Sequence, residues 1–261
     1  MHENVEHDHC CSADPEQPSS RRRFLGTAAA LGALGGLSRA SGEGIVGSAH
    51  AAELPAAGPD SQMTPEQALA EVMAGNARFL SGTPVAHQHD LRIIRERAAE
   101  GQWPIVGVLS CADSRVPVEM VFDEPIGRLF TCRIAGNITT PEIIGSLEYG
   151  VAVLGIKAIL VMGHSSCGAV KSAIDNPEVP GQISSLFPAL LPAIYLSDSK
   201  DAATVTKTNA IVQAATLINA SPVIESAVKS GNLKVVPAVY DVGTSKVELL
   251  DIPPSIRLAG R

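Results

Sequence analysis

Cysteine is scarce in this chain of 261 residues, and none of its five cysteines forms a Cys-x-x-Cys pair. A dithiol redox motif is therefore absent. Cys10 and Cys11 lie within the first 51 residues, leaving Cys111, Cys132 and Cys167 beyond them. That odd number argues against a simple disulfide framework. Long apolar runs are missing too, and the short stretch 27–37 is too Gly-rich to span a bilayer. Basic runs are missing downstream of residue 51, where 16 Lys and Arg face 21 Asp and Glu, a balance of −5. No nucleic-acid partner is implied, and mild acidity speaks only for solubility. No internal repeat is visible.

What is there begins with an address. Ser20-Arg21-Arg22-Arg23-Phe24-Leu25 is a twin-arginine motif, the weakly apolar stretch follows it, and Ala49-His50-Ala51 fits the small-x-small rule for cleavage. A short membrane anchor or a basic tail is the competing reading. The expectation is that residues 1–51 are a cleaved Tat signal peptide and that 52–261 form one mature domain. That domain would be periplasmic or extracellular, with no stable membrane anchor. The Tat pathway carries folded proteins, so a metal can be loaded before export. Three His and two Cys within residues 2–11 could bind metal, but read as part of the cleaved extension.

Thr64-Pro65-Glu66-Gln67 reads as a helix start, with Thr as N-cap, Pro at the first helical position and Gln at the third. Ala68, Leu69, Val72, Met73 and Phe79 follow at helical spacing, and a second amphipathic helix is predicted over 91–99. These give the domain an N-terminal helical arm. Residues 105–110 are a short continuous apolar run, as in a strand buried on both faces. Further strands are predicted over 129–134, 157–163, 233–240 and 246–250. Helical patterns over 141–154, 168–175, 182–195, 203–219 and 222–229 fill the gaps. The fold class is therefore α/β, with a mainly parallel central β-sheet flanked by helices. The polar segment 197–203 is expected to be a mobile loop.

Two clusters carry chemistry. Cys111-Ala112-Asp113-Ser114-Arg115 directly follows the first predicted strand, and His164-Ser165-Ser166-Cys167 directly follows the third. Ligands gather at the carboxyl ends of strands in open parallel sheets, so both loops leave on one side. Two Cys and one His suit zinc. A structural zinc site closes with four protein ligands, whereas a catalytic one keeps a position for water. Three ligands beside an Asp-Arg pair thus read as catalysis. The competing readings are a Cys111–Cys167 disulfide and an ordinary Asp113–Arg115 ion pair. Cys132 reads as a buried inert thiol.

These residues resemble the β-class carbonic anhydrases. The likeness rests on Cys-Ala-Asp-Ser-Arg-Val at 111–116, Arg133-x-Ala-Gly-Asn137, Gly145-Ser-Leu-Glu-Tyr149, Gly163-His-Ser-Ser-Cys-Gly168 and Ala238-Val-Tyr-Asp241. It covers almost all of 52–261 and is densest from Gln102 to Lys171. One departure is Ile134, where Asn is usual. The resemblance implies one zinc per chain held by Cys111, His164 and Cys167, with Asp113 and Arg115 as a dyad beside it. It implies a plant-type substrate pocket of Gln102, Phe130 and Tyr149. It also implies a homodimer or higher homo-oligomer whose pocket the partner chain completes. A regulated branch carries Trp three residues before the first zinc Cys to form an inhibitory bicarbonate site; Val108 stands here, which argues against that regulation.

The implied activity is that of a lyase: reversible hydration of carbon dioxide to bicarbonate and a proton, through attack by zinc-bound hydroxide. Two thiolates cancel the formal charge of the ion and weaken it as a Lewis acid, so something must compensate. Asp113 can orient the attacking group, and Arg115 can clamp Asp113 off the metal. Gln102 can donate to the developing bicarbonate oxygen. Hydrolysis of carbon disulfide or carbonyl sulfide on the same site, or a non-catalytic zinc-binding role, are the alternatives. His87 and His89 are candidate proton shuttles, though exposed loop histidines are the commoner case.

Overall fold

The computed structural model describes residues 60–257. The signal-peptide reading of 1–51 and the start of the mature chain lie outside the described residues.

Thr64 caps the first helix as its sequence dictates. Helix α1, Pro65–Leu80, opens with a full capping box in which Thr64 Oγ1 accepts from the Gln67 N–H and Gln67 Oε1 accepts from the Thr64 N–H. Ala68, Leu69 and Val72 are buried against the sheet. The same face also buries Gly75 and Asn76. A Cβ at Gly75 would lie 1.7 Å from the Phe122 carbonyl oxygen, so glycine is what lets α1 approach that backbone. Asn76 Nδ2 donates to the carbonyls of Val121 and Ser245, and its Oδ1 accepts from the Val247 N–H. Helix α2, Asp90–Arg97, follows a 3₁₀ turn at Ala86–His89 and buries no residue.

The sheet has strands β1 Val106–Ser110, β2 Leu129–Arg133, β3 Ala158–His164, β4 Lys234–Tyr240 and β5 Val247–Leu249, in the order β2-β1-β3-β4-β5. All pairings are parallel except β4 with β5. Both β1 and β3 are buried along their whole length. Their side chains alternate: Val106, Val108, Leu160 and Met162 pack beneath α1, while Leu109, Ile159 and Val161 pack against the opposite layer. That two-sided burial is why their sequences are continuously apolar.

Between the strands run α3 Val118–Val121, α4 Pro141–Ala152, α5 Gly168–Asp175, α6 Phe187–Leu196, α7 Ala202–Ala220 and α8 Pro222–Lys229; α9 Pro254–Arg257 ends the described chain. The single-turn helices α3 and α9 have no periodic signal to announce them. The segment 197–203 is tied down rather than loose. Ser197 is buried and its Oγ donates to the Ala193 carbonyl, while Asp201 caps α7 by accepting from the Thr204 N–H. Among the described residues no single helix is long and apolar enough to cross a membrane.

Chain order gives the sheet one switch point, between β1 and β3. The connection from β1 leads outward to β2, and the chain then returns to β3 on the other side. The carboxyl ends of those two adjacent strands face a common crevice.

Candidate metal centre and active site

Cys111 leaves the end of β1, and His164 is the last residue of β3. Cys167 stands at the N-cap of α5, after Ser166 turns the chain with φ +58°. The ligand atoms of all three side chains are buried and lie within 4.8 Å of one another. The two Sγ atoms are 4.0 Å apart, and both thiols are free. A disulfide holds its sulfurs about 2.05 Å apart, so the disulfide reading fails. A tetrahedral ion with bonds of ~2.3 Å to sulfur would separate two sulfurs by roughly 3.8 Å.

The imidazole supplies an independent test of fit. His164 Nδ1 lies 3.0 Å from the Ser165 carbonyl oxygen. A carbonyl only accepts, so Nδ1 carries the proton and Nε2 presents its lone pair. Nε2 is fully buried and has no hydrogen-bond partner. A buried acceptor of this kind calls for a partner, and it is aimed among two thiols. Nitrogen and sulfur donors in this arrangement fit zinc.

The two thiols lie in contact, and the hydrogen bond from the Cys167 thiol, with the Gly136 N–H, pulls Cys111 down. The Gly136 N–H points at Cys111 Sγ from 3.3 Å.

Asp113 stands beside the three ligands, its Oδ2 3.8 Å from His164 Nε2. Arg115 grips it from two sides: Nε donates to Oδ1 at 3.0 Å and Nη2 to Oδ2 at 2.8 Å. The Arg115 main-chain N–H adds a third bond to Oδ1 at 2.9 Å. This guanidinium, ahead of every other influence, holds the Asp113 carboxyl well below the usual carboxylate range. Arg133, at the end of β2, donates to the carbonyls of Cys111 at 3.0 Å and Asp113 at 2.5 Å. It pins the loop rather than entering the reaction.

The sequence-predicted pocket residues lie elsewhere. Phe130 pairs with Gly107 in the sheet register, four residues before Cys111, which at ~3.3 Å per residue is about 13 Å along the strand. Its ring meets that of Tyr149 on α4, with centroids 6.4 Å apart. Gln102 is exposed, in the segment that leads into β1. These three thus sit toward the amino ends of the strands, away from the metal ligands of their own chain. His87 Nδ1 lies 2.7 Å from the Asp90 carboxylate and its Nε2 3.3 Å from the Glu119 carbonyl, two acceptors of which a neutral ring satisfies one. Cys132 is buried, and burial pushes its thiol up, as suits an inert side chain. The Gly136 N–H and the α7 residues behind it escaped sequence reasoning, because a main-chain donor has no letter of its own.

Comparison with known proteins agrees with this geometry. The carbonic anhydrase family model matches residues 93–247. A carbonic anhydrase of Mycolicibacterium smegmatis is 36% identical over 189 residues, covering 67% of this chain and 88% of that one. Carbonic anhydrase 2 of Mycobacterium tuberculosis is 33% identical over 201 residues, covering 72% and 93%. Among solved structures, the Coccomyxa β-carbonic anhydrase in complex with acetazolamide superposes with a TM-score of 0.54 at 29% identity, covering 62% of this chain and 78% of that one. The chain belongs to the carbonic anhydrase family, in its β class.

Proposed function

We propose that the chain catalyses the reversible hydration of carbon dioxide to bicarbonate and a proton, with Cys111, His164 and Cys167 holding one zinc ion and Asp113 working beside it. The observation that carries this reading is the buried, unpartnered Nε2 of His164, set among two thiols and 3.8 Å from a clamped carboxylate. Zinc bound there supplies a Lewis acid that makes water acidic enough to furnish a nucleophile. The residues do the rest. Ionised Asp113 accepts the hydrogen of the attacking O–H group at Oδ2 and so turns that oxygen's lone pair toward carbon. Arg115 occupies both carboxylate oxygens and keeps Asp113 from taking a ligand position itself. Arg133 fixes the loop that carries Cys111 and Asp113.

Phe130, Tyr149 and Gln102 form the substrate pocket of a neighbouring subunit. Carbon dioxide is apolar, and the Phe130–Tyr149 ring pair offers a dry wall, with Gln102 able to donate to a bicarbonate oxygen. Their distance from the metal ligands of their own chain, and the 48% exposure of Tyr149, support a homodimer in which each chain completes its partner's site. Leu91 and Ile94, 71% and 49% exposed on the unburied α2, support the same assembly. Export by the Tat pathway, with cleavage near Ala51, rests on the twin-arginine motif and the small-residue site after it.

Stopped-flow carbon dioxide hydration, with zinc quantified in the same sample, tests the reading. Turnover that vanishes with chelation and returns with zinc supports it.

A further inference from the structure

A line of buried hydrogen bonds runs from α7 to the first metal-binding sulfur. Gly136 and Asn137 turn the chain beneath Cys111 with φ of +77° and +44°. Two successive left-handed residues are not held by regular structure, and Asn137 in particular needs support from its surroundings. That support comes from outside the segment. Asn209 Nδ2 donates to the Gly136 carbonyl at 2.9 Å and reaches Asn137 Oδ1 at 3.4 Å. Gln213, one helical turn further along α7, donates from Nε2 to Asn209 Oδ1 at 3.1 Å and to the Ala189 carbonyl at 2.8 Å. Gln213 Oε1 accepts from the Thr139 N–H at 2.8 Å. Asn137, Asn209 and Gln213 are all buried.

The direction of this network is fixed by its main-chain end. Thr139 N–H can only donate, so Gln213 must present its oxygen there and its NH₂ to Asn209. Asn209 must then present its oxygen to Gln213 and its NH₂ to Gly136. Each carboxamide has a single workable orientation, and the Gly136 segment is locked by it.

We propose that Asn209, oriented by Gln213, is a positioning residue of the metal centre. It holds the left-handed turn so that the Gly136 N–H is delivered to Cys111 Sγ. The proposal rests on the reading that Cys111 is a metal ligand. An N–H bond to a thiolate withdraws charge from sulfur, so the sulfur gives less of it to the ion. That restores part of the Lewis acidity which two thiolates remove. Outer partners of this kind tune a site as the ligands themselves do.

The test uses the full-length protein with cobalt(II) in place of zinc. Asn209→Leu keeps the branched skeleton of the side chain and removes all three of its bonds. The thiolate-to-cobalt charge-transfer band should move to longer wavelength, and the Gly136 amide should exchange with solvent at least tenfold faster. Hydration by the zinc form should fall on the order of tenfold. Gln213→Glu still accepts from Thr139 but cannot donate to Asn209, and should shift the band in the same direction by less; it also serves if Asn209→Leu fails to fold. Leu217→Ala, on the same helix but in a different part of the core, should lower stability without moving the band. A folded variant that keeps the wild-type band and the wild-type protection of Gly136 overturns the role of Asn209 alone. A wild-type cobalt protein with no thiolate band would instead remove the metal reading on which it rests.

Discussion

Two thiolates on one divalent ion leave little formal charge to acidify water, so the groups around them decide whether the centre works. Asp113 is one, and its placement separates two functions that a static ion pair would not. Asp113→Asn keeps the size and the Arg115 bonds to Oδ1, but puts an NH₂ group where Oδ2 accepts from Nη2 and would accept from the attacking O–H. We expect zinc content near wild type and turnover reduced by about 10²-fold, read by hydration rate and metal analysis on one sample. Unchanged turnover would remove Asp113 from the mechanism. Arg115→Ala releases Asp113 from both guanidinium bonds and leaves it only the main-chain N–H of residue 115. The freed carboxylate should then move onto the metal, visible as a fourth protein ligand in a crystal structure of the zinc form. A carboxylate still standing off the ion would contradict the clamp. Cys111, His164 and Cys167 were legible in the sequence because their types and spacing, and their place after predicted strands, are local properties. The Gly136 N–H and Asn209 were not. One is main chain, and the other lies 73 residues away on a helix with no sign of what its carboxamide meets.

Helix α1 shows how an element can be read correctly and still hide its constraint. Its start was set by Thr64 and Pro65 and its buried face by Ala68, Leu69 and Val72, all apparent from spacing. Gly75 on that face gave no signal, because only the fold reveals the Phe122 carbonyl pressed against it. Replacing a helical glycine with alanine normally gains up to ~1 kcal/mol. Here Gly75→Ala should lose ~2 kcal/mol, as overpacked sites do, measured by urea denaturation. A gain would show that α1 can shift without cost. Beside it, Glu124 is buried, and burial, followed by the charge of Glu71, pushes it up to about 7. A carboxyl raised in the folded state binds its proton more tightly there than in the unfolded chain. Its ionisation therefore costs nothing below the ordinary value of 4.5, and the cost grows as pH rises from there to about 7 and is constant above. Glu124→Gln should match wild-type stability near pH ~4 and exceed it by up to ~3 kcal/mol above pH ~8. A difference that does not change with pH would show that Glu124 is already solvated. The segment 197–203 is polar partly because Ser197 and Asp201 spend their side chains on the backbone of α6 and α7.

The α/β architecture and its mainly parallel sheet follow from patterns that alternate along the chain, but the strand order and the separation of the proposed pocket residues from the metal ligands of their own chain do not. Phe130 and Tyr149 were singled out by position in a motif; the sheet register places Phe130 about 13 Å from Cys111 along the strand, and Tyr149 packs on its ring. A sequence carries no mark that says which subunit a pocket serves. If the dimer reading is correct, Leu91→Glu with Ile94→Glu on α2 should yield monomers by analytical ultracentrifugation. Those monomers should keep their zinc and lose most turnover; a monomer with full turnover would place the pocket within one chain. The central claim, that this metal centre hydrates carbon dioxide, is tested most directly by stopped-flow hydration on the full-length protein with zinc counted in the same sample. We predict about one zinc per chain and rapid hydration that is abolished by chelation and restored by zinc. Full zinc occupancy with no hydration at any pH would contradict it.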